Sequence, residues 1–285
     1  TVKRPGFATA NTPSSGNIGT AIFVWTGSGT GTDVISAFGS TNSTIYNTTT
    51  SLGAITGKAR AINETFVGTT ATLLVASTDS TGWYYDTGIG VMTKISDADF
   101  PGNAGYTTVG GFAVMDGFSC IMDTMGRLWA SDLNSVTAWS STSYDSANSY
   151  SDKGVGCVRH RNFIMCFGTE SIEFFYNAGL SPFPFAKSTA QTVKVGAIAA
   201  KAITQIADTT FWCGSTPQGG ISVCQYDGGL SRISTPEIDT NLILAGASNI
   251  SMTSLRIYGR SMILVKAVAS TYVYVIEEKS WHEWT

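Results

Sequence analysis

Six segments of the sequence share one layout, and their spacing limits the folds open to the chain more than any single motif does. Each has an apolar stretch, a turn of Gly, Ser, Thr or Asp, and a second stretch rich in aromatic or β-branched residues. Their ends lie 39 to 50 residues apart, at Asn47, Asp86, Asp132, Asn177, Asp227 and Glu277. One four-stranded propeller blade uses about 40 to 50 residues. The spacing predicts an all-β protein, a β-propeller of six blades, with five or seven blades as the alternatives.

Turn chemistry supports the hairpin interpretation of these segments. In the second and third segments an Asp precedes a Gly by three residues, and the fifth segment carries a Gly pair. An Asp side chain accepts hydrogen bonds from the turn backbone, and Gly adopts the positive φ that leads back into a twisted strand. We therefore predict structural roles in hairpin turns for six residues: Asp79, Gly82, Asp123, Gly126, Gly219 and Gly220.

Six blades in one ring predict one domain. We expect an extended N-terminal segment over residues 1–16 and a single propeller domain over 17–285, as part of a longer chain that continues past Thr285. Propeller closure usually joins the two chain ends. The strand Ala21–Trp25 is therefore predicted to complete the last blade beside Val273–Ile276.

Composition and charge exclude several classes of protein. Only 13% of the residues are charged, against about 25% in an average soluble protein. The net charge is −3, which argues against a basic groove that grips phosphates, because such binding relies on clustered Lys and Arg. No apolar run reaches the roughly 18 residues of a membrane span, and the first residues lack the apolar core of a signal peptide.

The five cysteines are Cys120, Cys157, Cys166, Cys213 and Cys224. Their odd number and the absence of CxxC spacing argue against a zinc site and a disulfide framework. A tight turn at residues 161–162 sets Cys157 opposite Cys166, so one bridge is the alternative. We predict free thiols buried in strands.

Helical periodicity is almost absent from the sequence. The best helical candidate, Val195–Ile206, is predicted as a strand because Gly196 and the alternation of apolar residues suit one. Two polar or proline-containing stretches, Ser140–Ser151 and Gly179–Gln191, are predicted as loops.

Catalytic chemistry is weakly supported. The Asp-Gly turns differ from the sialidase Asp-box in spacing, because here the Gly follows the Asp by three residues rather than two. The paired carboxylates, Asp97 with Asp99 and Glu277 with Glu278, suit loops and strand ends better than an acid–base pair. The two histidines, His160 and His282, suit surface or interface positions. We predict no catalytic, cofactor-binding or metal-binding residue, no cofactor, and no enzyme activity.

The tryptophans allow two interpretations. Trp129 and Trp212 are predicted to wedge between blades, where large side chains fill the taper between sheets. Trp281 and Trp284 suit either that role or an exposed aromatic surface on which sugars stack. A carbohydrate-binding or glycoside-cleaving β-propeller is therefore the alternative function.

A set of structural motifs carries a family resemblance that is clearest between Arg161 and Leu242. They are an I-x-x-F-G-x-x-x-I-E-F-F strand pair, an SPFPF loop, a V-x-x-G-x-x-A segment, a W-G strand, a RIST-P-x-I-D turn and an early KRPGF. These motifs lie at Ile164–Phe175, Ser181–Phe185, Val193–Ala199, Phe211–Gly214, Arg232–Asp239 and Lys3–Phe7. In them the chain resembles the packaged-DNA stabilisation proteins of short-tailed bacteriophages, a family related to the tail nozzle, or tail tubular B-like, proteins.

The resemblance implies a structural virion protein of the phage tail, assembled in the host cytoplasm. It implies a homo-oligomeric ring, expected to be a hexamer, below the portal and adaptor proteins. Such a ring would continue the DNA channel, help retain packaged DNA and contact tail fibres or spikes. Double-stranded DNA would pass through transiently, without sequence-specific binding.

Overall fold

The computed structural model describes residues 19–25, 33–147, 150, 152–215, 220–268 and 270–284. In this part of the chain the backbone forms six antiparallel sheets, which follow one another along the sequence. Consecutive first strands lie side by side, so these strands are the innermost of each blade. The arrangement is a six-bladed β-propeller, and the predicted fold class is confirmed.

Each blade is a single uninterrupted stretch of chain. Blade 1 contains β1 (Gly19–Trp25), β2 (Asp33–Phe38), β3 (Ser43–Asn47) and β4 (Thr50–Ile55). Blade 2 contains β5 (Ala59–Val67), β6 (Thr70–Ser77), β7 (Gly82–Asp86) and β8 (Thr93–Lys94). Blade 3 contains β9 (Thr108–Met115), β10 (Phe118–Asp123), β11 (Arg127–Ser131) and β12 (Trp139–Ser146).

The second half of the chain repeats the pattern. Blade 4 contains β13 (Gly154–His160), β14 (Phe163–Gly168), β15 (Ile172–Asn177) and β16 (Phe185–Val193). Blade 5 contains β17 (Gly196–Ala197), β18 (Ile203–Ile206), β19 (Thr209–Ser215), β20 (Ile221–Tyr226) and β21 (Leu230–Arg232). Blade 6 contains β22 (Ser251–Ile257), β23 (Arg260–Lys266), β24 (Thr271–Val275) and β25 (Ser280–Trp284). The six hairpin segments predicted from the sequence form the second and third strands of the six blades.

The predicted closure by a shared strand is wrong. The first strand β1 pairs with β2 in its own blade, with Val24 opposite Val34. In blade 6 the position proposed for it is taken by β25, which pairs with β24 along its whole length. The last blade is complete because a turn at Lys279 folds the final residues back as its fourth strand.

Both predicted loops contain strands. The stretch Ser140–Ser151 includes most of β12, and Gly179–Gln191 includes most of β16. These are outermost strands, paired on one side only. Polar residues line such edges because half of the strand faces water, so the sequence lacks the apolar signal of an inner strand.

The region predicted as the strand Val195–Ile206 is interrupted. It contains β17, a single turn of 3₁₀ helix at Ala200–Ala202, and β18. Both strands pair with the same neighbour, β19. Together they form the inner edge of blade 5, in two short pieces separated by the 3₁₀ turn.

One helix, α1 (Pro236–Ala245), was predicted as a turn. Thr235 caps its N-terminus, a proline occupies its first turn, and Ile238 and Leu242 are buried against blade 5. A Thr-Pro-Glu start is a helix signal.

Five apolar clusters hold neighbouring blades together, one between each consecutive pair from blade 1 to blade 6. Trp129 lies in the cluster between blades 2 and 3, and Trp212 in the cluster between blades 4 and 5. Both indoles are fully buried. The predicted wedge role of these two residues is confirmed.

The first and second strands of blades 2 to 6 are joined by turns of only two residues. They are at residues 68–69, 116–117, 161–162, 207–208 and 258–259. Four of them begin with a non-glycine residue at positive φ: Asp116, Arg161, Ala207 and Tyr258. In the turns at Asp116 and Tyr258 the following glycine also has positive φ, as a type I′ hairpin requires. We call the end of the propeller that carries these five turns the short-turn face.

Candidate functional site

The turn at Asp123 carries a buried carboxylate with four hydrogen bonds. The Asp123 side chain is fully buried. Its Oδ1 accepts hydrogen bonds from the backbone N–H groups of Met125 (2.8 Å) and Arg127 (3.1 Å). Its Oδ2 accepts from Arg127 Nε (2.7 Å) and from Trp129 Nε1 (2.9 Å). The carboxylate therefore fixes both the bend and the inter-blade tryptophan.

Three aromatic rings enclose the Arg127 guanidinium. Its central carbon lies 4.0 Å from the ring centre of Tyr106, 5.2 Å from that of Trp129 and 5.4 Å from that of Tyr144. Cations over aromatic faces gain electrostatic stabilisation. The carboxylate and the rings account for the contacts of this cation, so the cluster is a structural core of blade 3 and not an open binding site.

The turn at Asp79 is a weaker version of the same design. Asp79 Oδ1 accepts from Thr81 N (3.1 Å) and Thr81 Oγ1 (2.6 Å), and that hydroxyl accepts from Trp83 Nε1 (2.8 Å). Partial burial raises the pKa of Asp79, but hydrogen bonds from Thr56, Thr81 and Ser77 lower it more, so the pKa lies below its usual value. The turn is exposed and carries no ion pair within 4.0 Å among the described residues.

The two turn glycines have different roles. Gly126 takes the positive φ (79°) that the turn needs, whereas in the other turn Ser80 does so (φ 68°) and Gly82 does not. A Cβ on Gly82 would lie 2.7 Å from Phe100 Cζ and 2.9 Å from Ile95 Cδ1. Gly82 is therefore required for close packing against the connection to blade 3.

We expect Gly82→Ala to lower the free energy of unfolding by about 1–3 kcal/mol, because an added methyl group overpacks this contact. Gly229→Ala is the matched control, since a Cβ there meets nothing within 4 Å, and its effect should stay within about 0.5 kcal/mol. Urea unfolding measures both variants. Equal destabilisation by the two would contradict the packing role of Gly82.

The turn of the fifth hairpin lies largely outside the described residues. Gly219 is one of the residues not described, and Gly220 is the last residue before β20. The role of this glycine pair in a hairpin turn stays a prediction.

The paired carboxylates do not face each other across a cleft. Asp97 accepts from the backbone N–H groups of Asp99 (2.8 Å) and Trp139 (3.0 Å), which ties the blade 2–3 connection to β12. Glu277 accepts from Ser261 N (2.8 Å), and this bond lowers its pKa. Glu278 forms an ion pair with Arg260 (2.6 Å). Asp97, Glu277 and Glu278 therefore each have a local structural partner.

His160 is buried, so the prediction of a surface or interface position is wrong for it. It ends β13, is 4% exposed, and its Nδ1 lies 3.0 Å from Thr210 Oγ1 of blade 5. The two-residue turn begins at the next position, which leaves this side chain pointing to the neighbouring blade. Burial lowers the pKa of His160, and Arg161 lowers it further, while Asp227 and Asp208 act in the opposite direction.

This histidine predicts a pH dependence of stability. Because the pKa of His160 in the folded protein lies below its ordinary value of 6.5, the unfolded chain takes up a proton first as the pH falls. We expect the free energy of unfolding to decrease as the pH falls through 6.5 towards the folded pKa, and His160→Gln to remove this decrease. Urea midpoints between about pH 5.5 and 7.5 measure it. His282→Gln, which should keep the slope, is the control, and an unchanged slope in His160→Gln contradicts the prediction.

Trp281 and Trp284 do not form one aromatic surface. They are three residues apart in β25 and therefore lie on opposite faces of blade 6. Trp281 donates to the Ile233 carbonyl (2.7 Å) and packs against Tyr274. Trp281 also packs against the apolar cluster between blades 5 and 6. No shared platform for a sugar ring results from this pair.

All five cysteines are buried as free thiols, as predicted. Cys157 lies directly opposite Cys166 in the β13–β14 pair. Burial raises the pKa of Cys157 to about 12 and raises the pKa of the other thiols. Thiols held in the neutral form are poor nucleophiles and metal ligands.

One sheet face of blade 1 is left open. Ile22, Val24 and Val34 share this face, because Val24 is opposite Val34 and Ile22 is two residues away. Their side chains are 69%, 54% and 41% exposed. The first strands of blades 2 to 4 are covered on both faces over most of their length. We call these three residues the open face of blade 1.

No group of three or more His, Cys, Asp or Glu side chains is placed to hold a metal ion within the described ranges. In the same ranges, no helix is long and apolar enough to cross a membrane. Asp79, Asp97, Asp123, His160 and the pair Glu277–Glu278 serve turns, blade contacts or surface ion pairs. The fold and these residues indicate a structural protein. It is a propeller in which these polar side chains stabilise turns and contacts between blades.

The chain belongs to the phage-stabilisation family described as the β-propeller of bacteriophage P22 Gp10, which it matches over residues 38–285. Membership makes the chain a structural protein of a bacteriophage. The match begins at the end of β2, so most of the strand pair that carries the open face precedes it. No curated protein sequence matches the chain.

Solved structures share the fold at low sequence identity. BamB from Moraxella catarrhalis is 13% identical, with a TM-score of 0.54 over 94% of this chain and 78% of its own. A chain of the mitotic checkpoint complex is 10% identical, with a TM-score of 0.54 over 100% of this chain and 85% of its own. BBS1N in its complex with ARL6DN is 11% identical, with a TM-score of 0.45. The match covers 73% of this chain, and this chain spans only 61% of the length of BBS1N. The first two likenesses show the propeller fold alone.

Proposed function

We propose that the chain is a component of the phage tail that assembles into a ring, expected to be a hexamer, below the portal and adaptor proteins. The ring forms a nozzle or hub that continues the DNA channel, helps retain the packaged genome and permits its ejection. Tail fibres or spikes are the expected outer partners. Family membership over residues 38–285 is the observation that carries this proposal.

The open face of blade 1 supports assembly from several copies. Three neighbouring apolar side chains of blade 1 are between 41% and 69% exposed, whereas the first strands of blades 2 to 4 are covered over most of their length. Exposed apolar patches of this kind mark protein contacts. We assign the patch to a contact with a second copy of the chain. Contacts between unlike surfaces of identical subunits close into rings when their rotation permits.

The charge distribution supports transient passage of DNA. The chain carries 17 basic and 20 acidic residues. On its surface, Arg161 pairs with Asp227 and Arg260 pairs with Glu278 (2.6 Å). Each phosphate contact made by Lys or Arg raises affinity for DNA and its salt dependence. A tail component that releases DNA quickly is expected to offer few such contacts. Arginines that are already paired with a carboxylate are less available to bind phosphates.

Electron microscopy of phage particles tests the proposal. Particles in which the chain carries a compact fusion tag should show additional density in a ring on the tail axis. Inactivation of its gene should yield capsids that package DNA and then lose it, measured as the fraction of full capsids. Complementation by the intact gene is the control. Absence of the chain from particles, or full and stable capsids without it, would contradict the proposal.

A further inference from the structure

A groove of about 410 Å³ lies between blades 2 and 3, next to the turn at residues 68–69 of the short-turn face. Its volume falls within the range of ordinary ligand pockets, about 300–1,000 Å³. Val67, Tyr84 and Val136 give it an apolar floor, and the same three residues pack in the cluster between the two blades. We call it the inter-blade groove. None of the residues predicted from the sequence as sites lines it.

Among the described residues, Asp86 is the only charged side chain that lines this groove. It lies two residues after Tyr84 in β7, so both side chains point towards blade 3. Its Oδ1 accepts from Ile89 N (2.8 Å), which fixes the carboxylate. In the described part of the chain Asp86 forms no ion pair within 4.0 Å, and its Oδ2 has no donor. That oxygen is not among the atoms enclosed by protein, so a ligand in the groove can reach it.

Ser135, in the connection between β11 and β12, lines the groove from blade 3. Its Oγ accepts from the backbone N–H groups of Thr137 (3.2 Å) and Ala138 (3.0 Å). Because both lone pairs are engaged, the hydroxyl proton is left to donate, and it has no acceptor within the described ranges. The exposed residues Thr70, Thr87 and Thr137 add further hydroxyl groups to the lining. The groove therefore offers an acceptor from blade 2 and a donor from blade 3.

This lining indicates the chemistry of the ligand. A phosphate would be repelled by Asp86, and no Lys, Arg or His among the described residues lines the groove to bind it. An ammonium group would suit the carboxylate but leave the Ser135 proton without an acceptor, because ammonium only donates. A hydroxyl group both donates and accepts, and it forms a short, strong hydrogen bond to a carboxylate. The ligand is therefore expected to be neutral and to carry several hydroxyl groups.

We propose that the inter-blade groove binds a neutral hexopyranose unit. Asp86 Oδ2 accepts from one sugar hydroxyl, and the Ser135 hydroxyl donates to another oxygen of the sugar. The C–H face of the ring lies on the apolar floor, where an aromatic side chain supplies part of the surface. Two sources share this chemistry, a free saccharide and one unit of a glycan chain.

Saturation-transfer NMR and calorimetry with the methyl α-glycosides of glucose, galactose and mannose test the proposal. Tetrahydropyran, which has the ring but no hydroxyl group, is the control ligand. We expect at least one glycoside to bind and tetrahydropyran not to bind. Asp86→Asn, which keeps an acceptor for Ile89 N, should weaken binding at least about tenfold, the factor that corresponds to 1.4 kcal/mol. Thr137→Trp, which fills the groove from an exposed position, should abolish binding. Asp208→Asn, at an exposed aspartate of blade 5 outside the groove, should leave it unchanged.

Further arms separate the two sources and keep the test decisive. Linear trisaccharides of the bound hexose that bind more tightly than its methyl glycoside support a glycan chain, and equal or weaker binding supports a free saccharide. Three results with the wild-type chain overturn the proposal: no binding of any glycoside, equal binding of tetrahydropyran, and binding of methylammonium chloride in place of the glycosides. Unchanged affinity in a folded Asp86→Asn or Thr137→Trp variant also overturns it. Either variant locates the site if the other fails to fold.

Discussion

Asp123→Ala is expected to lower the free energy of unfolding by about 3–5 kcal/mol, the range found when one partner of a buried ion pair is removed. The substitution leaves Arg127, two backbone N–H groups and the Trp129 indole without their acceptor. All of these groups lie in or beside the packed region between blades 2 and 3. Asp123→Asn, which keeps one acceptor oxygen, should be less severe.

Asp79→Ala is the matched control, because it removes an Asp from the equivalent turn of blade 2. There the carboxylate is exposed, forms no ion pair within 4.0 Å among the described residues, and interacts only with hydroxyl and backbone groups of Thr56, Ser77 and Thr81. We therefore expect a loss of about 1 kcal/mol. Thermal and urea unfolding measure the three variants under the same conditions. A loss in Asp79→Ala equal to that in Asp123→Ala would show that burial and the ion pair do not distinguish the turns.

Val24→Asp is expected to convert an assembled ring into single chains. It places a charge at the centre of the open face of blade 1, which the proposed function assigns to a second copy. A desolvated charge without a partner in an interface costs several kcal/mol. Since Val24 is 54% exposed in the single chain, the melting temperature of the separated chain should hardly change. Analytical ultracentrifugation measures the size of the assembly.

The control is Tyr258→Asp, at a side chain 95% exposed on blade 6 and outside the open face. It should leave assembly intact. A wild-type chain that stays monomeric at high concentration, or a Val24→Asp variant that still assembles, would contradict the role given to this face. A lowered melting temperature of monomeric Val24→Asp would instead indicate that the patch is covered within one chain.

The regular features of the fold were predictable because they depend on local chemistry. Alternating apolar residues around a Gly- or Asp-containing turn specify a hairpin without reference to the rest of the chain, and all six hairpins form. The outer strands β12 and β16 were missed because an exposed edge tolerates polar sequence. The helix α1 was missed although its Thr-Pro start is a local signal, because only ten residues carry it.

The contacts between blades were less predictable than the blades. His160 lies in a turn sequence that suggests exposure, yet blade 5 covers it. Asp123 and Asp79 have the same spacing to a Gly, but only the first is buried beside an arginine and three rings. A cavity of about 570 Å³ is lined by residues of five strands between β1 and β18. The burial and the contacts of these residues depend on how neighbouring blades pack against each other. The pattern of hairpin turns in the sequence does not specify that packing.

The pairing of β1 within its own blade also affects how the chain folds. Every described strand pair joins segments close in sequence, and no strand waits for a partner some 250 residues away. The entropy lost on closing a loop grows with its length, and distant pairings slow folding. Each blade can therefore form its hydrogen bonds as it leaves the ribosome, before the next is synthesised. A subunit of the proposed ring would then mature in the order of its synthesis, without a late exchange of strands between blades 1 and 6.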